Sequence, residues 1–281
     1  MDETTQTVCY WHPDRKTRLS CSECGRNICV ECTHDAAVGQ RCPECAAPQG
    51  RNRVVVARRS MVGTRPSFQT APVTLSIIAI AATLFVAGFL SRDLDRQLLE
   101  WFAQANWLVA EGEWWRTLSG AFLHGGLLHI GFNMYILYAL GPRIESQVGS
   151  PAFASLYLAS AAAGGAAFYL IGPDNGLAVG ASGAIFGVIG SWLFVAWKMR
   201  ATPGGRAMLN QLMVFLVLNA AIGFMPGLNI AWEAHLGGFL AGLLIAYLWS
   251  QFAVGRPNAV AIRTTLGALV GVASLVLILL F

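Results

Sequence analysis

Apolar segments long enough to cross a bilayer recur along most of the chain after Pro72. A membrane-spanning helix needs about 20 consecutive, mainly apolar residues. The pattern therefore predicts seven membrane spans with approximate boundaries, at residues 73–90, 126–143, 151–171, 181–199, 209–225, 230–251 and 264–281. The segment between the first two, residues 91–125, is amphipathic and rich in tryptophan, which is typical of a segment at the membrane interface. The predicted fold class is an all-α polytopic membrane protein.

Composition agrees with this pattern and adds a second region. The chain has 281 residues, of which 55% are hydrophobic and only 12% charged, and this excludes an ordinary soluble protein. Residues 1–70 nevertheless hold ten of the nineteen basic residues and all seven cysteines. We therefore predict four parts: a zinc-binding domain at 1–48, an Arg-rich linker at 49–72, a six-helix membrane core at 73–251, and a linker with a seventh helix at 252–281.

The N-terminal region contains four pairs of metal-binding side chains, each with a two-residue gap. The pairs are Cys9 and His12, Cys21 and Cys24, Cys29 and Cys32, and Cys42 and Cys45. Such a gap lets both side chains of a turn reach one tetrahedral metal, so eight ligands suffice for two zinc ions. A disulfide framework is less favoured, because the number of cysteines is odd and a histidine stands in the eighth position. His34 is a spare residue that could replace one ligand.

The zinc ions are predicted to be structural. All eight ligands are used, so no open position for catalysis is left, and some 45 residues cannot bury a sufficient core without metals. The arrangement resembles a B-box-type cross-brace, with Cys9/His12 sharing a metal with Cys29/Cys32 and Cys21/Cys24 with Cys42/Cys45. Sequential pairing stays open. We expect a cytosolic protein partner for this domain rather than nucleic acid.

Two independent features predict the orientation in the cell membrane. Zinc thiolates indicate a reducing compartment, hence a cytoplasmic N-terminus. The loops that would then be cytoplasmic hold basic residues, whereas the outer loops at 172–180 and 225–230 hold none. These basic residues are Arg143, Lys198, Arg200, Arg206, Arg256 and Arg263. This bias follows the positive-inside rule and predicts an external C-terminus.

Four polar residues lie within predicted spans, where polar groups are costly and are candidates for function. They are His129, Asn133, Ser182 and His235, and the predicted topology places all four near one depth. A serine becomes a nucleophile when a neighbouring histidine takes its proton, and donors must face the oxyanion that follows. His129 and Asn133 share a helical face. No triad acid is predicted, because Glu233 points away from His235. Taken singly, an N-cap role for Ser182 and helix-packing roles for the others remain alternatives.

Three motifs resemble the signatures of rhomboid intramembrane serine proteases. They are "GASG" around Ser182, "AHLGGFLAG" at 234–242 and "HGGLLHIGFN" at 124–133. "EWWRTLSGAFLH" and "LGPRIESQVG" resemble the family's first-loop segment and the turn after its second span, with Glu145 as a buried acid. The resemblance covers residues 73–251.

The resemblance implies a role for each candidate residue. Ser182 would be the nucleophile, His235 the general base, and His129 with Asn133 the oxyanion donors. Supporting roles fall to His124, to Phe186 stacked on the catalytic histidine, and to the small residues Gly180, Gly183 and Gly238. The seventh span makes this a "six plus one" form.

We therefore expect an intramembrane serine endopeptidase that cleaves transmembrane segments of membrane proteins near the outer face of the bilayer. No cofactor is expected for catalysis. The alternative is a catalytically silent, membrane-protein-binding relative. A transporter is disfavoured, because charged midplane residues and inverted repeats are not evident.

Overall fold

The computed structural model describes residues 7–35, 39–46, 66–223 and 230–281. The chain divides into two compact units, residues 1–65 and 66–281, and each is described by itself. The predicted Arg-rich linker lies largely outside the described residues, as does most of the predicted outer loop at 225–230.

The N-terminal unit has little regular structure. A 3-10 helix at Val30–Cys32 precedes an antiparallel pair of strands, β1 (His34–Asp35) and β2 (Gln40–Arg41), and α1 (Pro43–Ala46) follows. Its buried core consists of Ile28 and five cysteines. A core of this kind holds too little hydrocarbon to stabilise a fold by burial alone.

The second unit contains seven long helices in its described part. They are α2 (Pro72–Leu90), α6 (Leu127–Val148), α7 (Ser150–Ile171), α8 (Ser182–Lys198), α9 (Pro203–Gly223), α10 (Trp232–Phe252) and α11 (Ala259–Leu280). The short helices α3 (Arg92–Phe102), α4 (Asn106–Ala110) and α5 (Arg116–Ser119) lie between α2 and α6. The all-α, polytopic fold class is confirmed.

Five of the long helices are long and apolar enough to cross a membrane by length and composition alone. The two that fall short of this measure are α6 and α8. Helix α8 has only 17 residues, and α6 carries His129, Asn133, Arg143 and Glu145. These two helices hold three of the four candidate polar residues.

Three helices differ in extent from the sequence prediction. Helix α11 begins at Ala259 rather than at residue 264. Helix α6 continues to Val148 rather than ending at residue 143, although Pro142 lies inside it. Helix α9 begins at Pro203 rather than at residue 209. The hydroxyl of Thr202 accepts a hydrogen bond from the Gly205 N–H (3.0 Å), which caps the early start of α9.

Helix α8 lies in the core of the unit, packed mainly between α10 and α7, and most of its residues are buried. Helix α11 packs along α7, where Gly267 and Gly271 leave little room beside Ser155 and Ala159. The buried carboxylate of Glu145 accepts hydrogen bonds from the first turn of α2, from the N–H groups of Val73 (2.9 Å) and Thr74 (2.8 Å). These N–H groups have no acceptor within their own helix.

The segment between α2 and α6 is fixed to α7 and to the loop before α8. Strand β3 (Gln104–Ala105) pairs antiparallel with β4 (Leu177–Ala178). The amide of Asn106 donates to the carbonyl oxygens of Phe168 (2.9 Å) and Pro173 (3.0 Å). Arg116 is buried, donates to the carbonyl oxygen of Ala103 (3.0 Å) and pairs with Glu113.

Candidate active site

Ser182 is the first residue of α8, and the chain enters this helix through a constrained turn. Gly180 has a φ of 130°, which L side chains rarely adopt. Its N–H donates to the carbonyl oxygen of Gly120 (2.9 Å), directly after the β3–β4 pair. Ser182 is thereby held half-buried, with its N–H in the first turn, where no intrahelical acceptor exists.

The structure brings the Ser182 hydroxyl to the imidazole of His235. The distance between Ser182 Oγ and His235 Nε2 is 2.9 Å, although 53 positions separate the residues in the sequence. The ring of Phe186 stacks on the imidazole at a centroid distance of 4.2 Å and an interplanar angle of 8°. This contact fixes the plane of the His235 imidazole. Among the described residues, no carboxylate forms an ion pair with His235.

Close packing of α8 against α10 makes this contact geometrically possible. A methyl group at Gly238 would overlap the carbonyl oxygen of Gly183, and one at Gly242 would overlap that of Gly187. Gly183 in turn faces the carbonyl oxygen of Ala234, where an added Cβ would lie at 3.3 Å. The backbones therefore touch at the level of Ser182 and His235, as small residues permit between membrane helices.

His129 and Asn133 lie beside the turn that leads to Ser182. A Cβ placed on Gly180 would lie 2.6 Å from His129 Nε2 and 3.7 Å from Asn133 Nδ2. Asn133 is buried, and its Nδ2 has no hydrogen-bond partner among the described residues. Its N–H bonds are thus available to an acceptor that arrives at this position.

His124 packs against His129, with ring centroids 5.1 Å apart. Both ring nitrogens of His124 are buried and lack a partner among the described residues. The structure thus places His124 beside His129.

A narrow cavity of about 40 Å³ adjoins Ser182. Gln104 and Thr117 line it together with small residues of α7 and the loop before α8. Gln104 Nε2 donates to the carbonyl oxygen of Gly165 (2.8 Å), which holds this side chain at the wall. The sequence analysis missed both residues, because a single polar residue in the segment between two predicted spans gives no sign of the cavity that it will line.

Comparison with known proteins identifies the family. The family model of the Rhomboid domain matches residues 111–252, about half of the chain. The chain belongs to the rhomboid family. All the candidate active-site residues, from His124 to His235, lie within the matched region.

Curated relatives agree with this assignment. The chain is 36% identical over 162 residues to the Rhomboid protease GluP of Bacillus subtilis, covering 58% of this chain and 30% of that protein. It is 38% identical over 146 residues to RHOMBOID-like protein 5 of Arabidopsis thaliana, covering 50% and 46%. It is 33% identical over 184 residues to the Putative rhomboid protease YdcA of Bacillus subtilis, covering 64% and 89%. The aligned region thus spans less than half of the first two relatives.

The cysteine pairs lie outside the rhomboid domain and form two clusters. Cys9, His12, Cys29 and Cys32 come together in one, and Cys21, Cys24, Cys42 and Cys45 in the other. This grouping is that of the cross-brace. One cluster combines the first and third pairs along the sequence, and the other combines the second and fourth pairs. His34 lies on β1, is exposed and belongs to neither cluster.

The spacing of the donor atoms fits a tetrahedral metal. Zinc–sulfur bonds of about 2.3 Å in tetrahedral geometry place two sulfurs about 3.8 Å apart. Cys24 Sγ and Cys42 Sγ are 3.8 Å apart. In the other cluster, His12 Nδ1 lies 3.3 to 3.9 Å from the sulfurs of Cys9, Cys29 and Cys32. None of the seven cysteines forms a disulfide.

Proposed function

We propose that this rhomboid-family chain is an intramembrane serine endopeptidase with Ser182 as nucleophile and His235 as general base. The observation that carries the proposal is the 2.9 Å contact between Ser182 Oγ and His235 Nε2. Relatives named as rhomboid proteases support the same reaction class.

In the first step, His235 Nε2 accepts the proton of the Ser182 hydroxyl while Oγ attacks the scissile carbonyl carbon. The carbonyl oxygen becomes an oxyanion. The side chains of His129 and Asn133 and the N–H of Ser182 are the proposed donors to it. Donors that are held in place before the reaction stabilise this charge without reorganisation.

In the second step, the tetrahedral intermediate collapses and the C–N bond breaks. His235 gives its proton to the leaving amine, and Ser182 retains the acyl group as an ester. Water then attacks the ester, with His235 again as base, and releases the second product. No metal or cofactor is required for this sequence.

The proposed substrate is a transmembrane segment that unwinds near the outer face. A helical backbone engages its carbonyl groups in hydrogen bonds, so the segment must become extended before attack. The cavity beside Ser182 measures only about 40 Å³. It favours a small side chain next to the cleaved bond, and helix-breaking residues nearby would ease unwinding.

We further propose that the N-terminus is cytoplasmic and the C-terminus external. The helix ends and loops on the side away from Ser182 hold six basic residues and a single acid, Glu145. The side of Ser182 holds three basic residues, Arg92, Arg96 and Arg116, against seven acids. This asymmetry follows the positive-inside rule and supports an active site near the outer face.

The two cysteine clusters are proposed to hold one zinc ion each within a cytoplasmic domain at residues 1–48. With all four ligands supplied by the chain, the ions would cross-link the small unit and leave no position for a reacting water. The domain is proposed to recruit a cytosolic protein partner.

The test of catalysis is labelling of the purified full chain with a fluorophosphonate probe. Wild type should label, and both Ser182→Ala and His235→Ala should abolish labelling, because one removes the nucleophile and the other its base. Ser191→Ala is the matched control. Ser191 lies on the same helix, is buried and bonds only to its own helix (2.8 Å to the Val188 carbonyl oxygen), so labelling should persist.

Labelling of Ser182→Ala at the wild-type level would overturn the proposal. A folded wild type that neither labels nor cleaves a transmembrane substrate would favour the catalytically silent, membrane-protein-binding alternative.

A further inference from the structure

A second cavity, of about 260 Å³, lies at the end of the helix bundle opposite to Ser182. The C-terminal ends of α6, α8 and α10 and the start of α11 form its wall. Ser182 begins α8, whereas the residues of α8 that line this cavity start at Ser191 and end at Lys198, about 13 to 24 Å from Ser182 along the helix axis. The cavity therefore plays no part in the proposed cleavage.

The wall of this cavity is mainly apolar. Most of it consists of aliphatic and aromatic side chains, among them Ile144, Val148, Trp192, Phe194 and Trp249. The neutral polar residues of the lining are Gln147, Ser191 and Ser250. Lys198 and Arg263 complete the lining. Within the described part of the chain, neither cation pairs with a carboxylate.

Arg263, the cation on α11, is held in position through both its backbone and its side chain. Trp249 Nε1 donates to the carbonyl oxygen of Arg263 (2.9 Å), which joins the start of α11 to the end of α10. The Arg263 guanidinium lies within 3.4 Å of the Val148 carbonyl oxygen at the end of α6. Arg263 is thus half-buried at the cavity, whereas Lys198 is exposed at the end of α8.

The surroundings of the cavity carry a strong positive charge. Four further basic residues, Arg143, Arg200, Arg206 and Arg256, lie at the same end of the bundle and are exposed. Within the described part of the second unit, residues 66–281, the only acid at this end is Glu145, which is buried and bonded to the start of α2. An occupant that matches this site must combine an apolar part with an anionic group.

We propose that this cavity binds one anionic phospholipid. Part of an acyl chain occupies the apolar cavity, and the phosphate lies between Lys198 and Arg263. A bilayer supplies such molecules at the depth of these helix ends, and basic pockets between membrane helices bind anionic headgroups. By touching Arg263 and the ends of three core helices, the lipid would fasten α11 to the core.

The test is lipid binding to the delipidated full chain in detergent, measured by native mass spectrometry. Phosphatidylglycerol should bind, and phosphatidylcholine with the same acyl chains should bind much more weakly. The double variant Lys198→Gln/Arg263→Gln should weaken phosphatidylglycerol binding by at least about tenfold, since each cation contributes about fivefold. Phosphatidylglycerol should also raise the melting temperature of wild type more than that of the double variant.

Two further variants separate the cavity from general surface charge. Arg200→Gln/Arg206→Gln removes two cations from the same end that do not line the cavity, and binding should weaken much less than in the Lys198→Gln/Arg263→Gln variant. Ser191→Leu fills part of the cavity and leaves both cations, so it should weaken binding while the chain stays folded, as judged by gel filtration.

Three outcomes would overturn the proposal. The first is equal binding of phosphatidylglycerol and phosphatidylcholine. The second is an equal loss in the two double variants, which would indicate diffuse attraction to the surface. The third is displacement of the lipid by inorganic phosphate at millimolar concentration, which would indicate a site for the free anion. None of these measurements depends on protease activity.

Discussion

At the scale of single residues, the amide of Asn133 is informative because it is unsatisfied. Its Nδ2 is buried without a partner among the described residues, which costs on the order of 1–3 kcal/mol. A buried donor without a partner is expected at a site where a bound ligand supplies the missing acceptor. Nδ2 lies close to Gly180, two residues before the nucleophile, which agrees with the proposed role as an oxyanion donor.

The first prediction is that Asn133→Ala lowers kcat for cleavage of a transmembrane substrate by about 10²–10³-fold, as removal of one oxyanion donor does elsewhere. The melting temperature should hardly change, because Nδ2 makes no hydrogen bond that the protein would lose. Cleavage kinetics and thermal unfolding in the same detergent provide the two readouts.

Asn106→Ala is the matched control for this variant. Asn106 is also a buried amide, but its Nδ2 donates to the carbonyl oxygens of Phe168 and Pro173. Its removal should lower the melting temperature clearly, since two carbonyl oxygens, of which that of Phe168 is buried, lose their donor. If Asn133→Ala destabilised the fold as much and retained full kcat, its role would be structural.

At the scale of elements, the distance between the backbones of α8 and α10 determines whether Ser182 meets His235. Gly183, Gly187, Gly238 and Gly242 place the two backbones in contact, with no room for a Cβ at Gly238 or Gly242. A hydrogen bond weakens steeply once its atoms move apart or lose alignment. A shift of one helix is therefore sufficient to break the contact between His235 and Ser182.

We predict that Gly238→Ala abolishes fluorophosphonate labelling, because the added methyl group must displace α10 from the carbonyl oxygen of Gly183. The melting temperature should also fall, since overpacking costs about 1–3 kcal/mol. The readouts are labelling and thermal unfolding of the purified chain.

The control is Gly131→Ala on α6, where an added Cβ meets open space. This variant should retain labelling and unfold at the same or a slightly higher temperature, because alanine favours the helix more than glycine does. Loss of labelling in both variants would show that helix glycines matter here for some reason other than backbone contact.

At the scale of the whole molecule, the two units differ in the interactions that stabilise them. The rhomboid unit buries apolar side chains around α8. The N-terminal unit has a small core made mostly of cysteines, and its two clusters could hold metal ions that would cross-link it. Removal of the metals should therefore affect the units separately.

The last prediction concerns this separation. The purified chain should contain about two zinc ions, and a strong chelator should unfold the N-terminal unit while labelling of Ser182 persists. Zinc content by elemental analysis and proteolytic sensitivity of residues 1–65 provide the measurements. His34→Ala should keep both ions, whereas Cys9→Ser should lose at least one. A chain that is fully labelled, compact and free of zinc would contradict the metal assignment.

The membrane helices, the metal pairs and the candidate site residues can be predicted from the sequence alone, because each is indicated by a pattern within a single segment of the chain. The length of each apolar segment predicts a membrane helix from composition only, and a two-residue gap between cysteines predicts a metal pair from the reach of one turn. Ser182, His235, His129 and Asn133 also stand out locally, as polar residues within apolar segments.

Tertiary structure decided the features that depend on contacts between distant segments. It grouped Cys9 and His12 with Cys29 and Cys32, where the sequence left two pairings open. It placed Gln104 at the wall beside Ser182, and Lys198 with Arg263 around one cavity. Helices α6 and α8 bury polar groups and glycine backbones against other helices, so their position depends on packing that no single segment encodes.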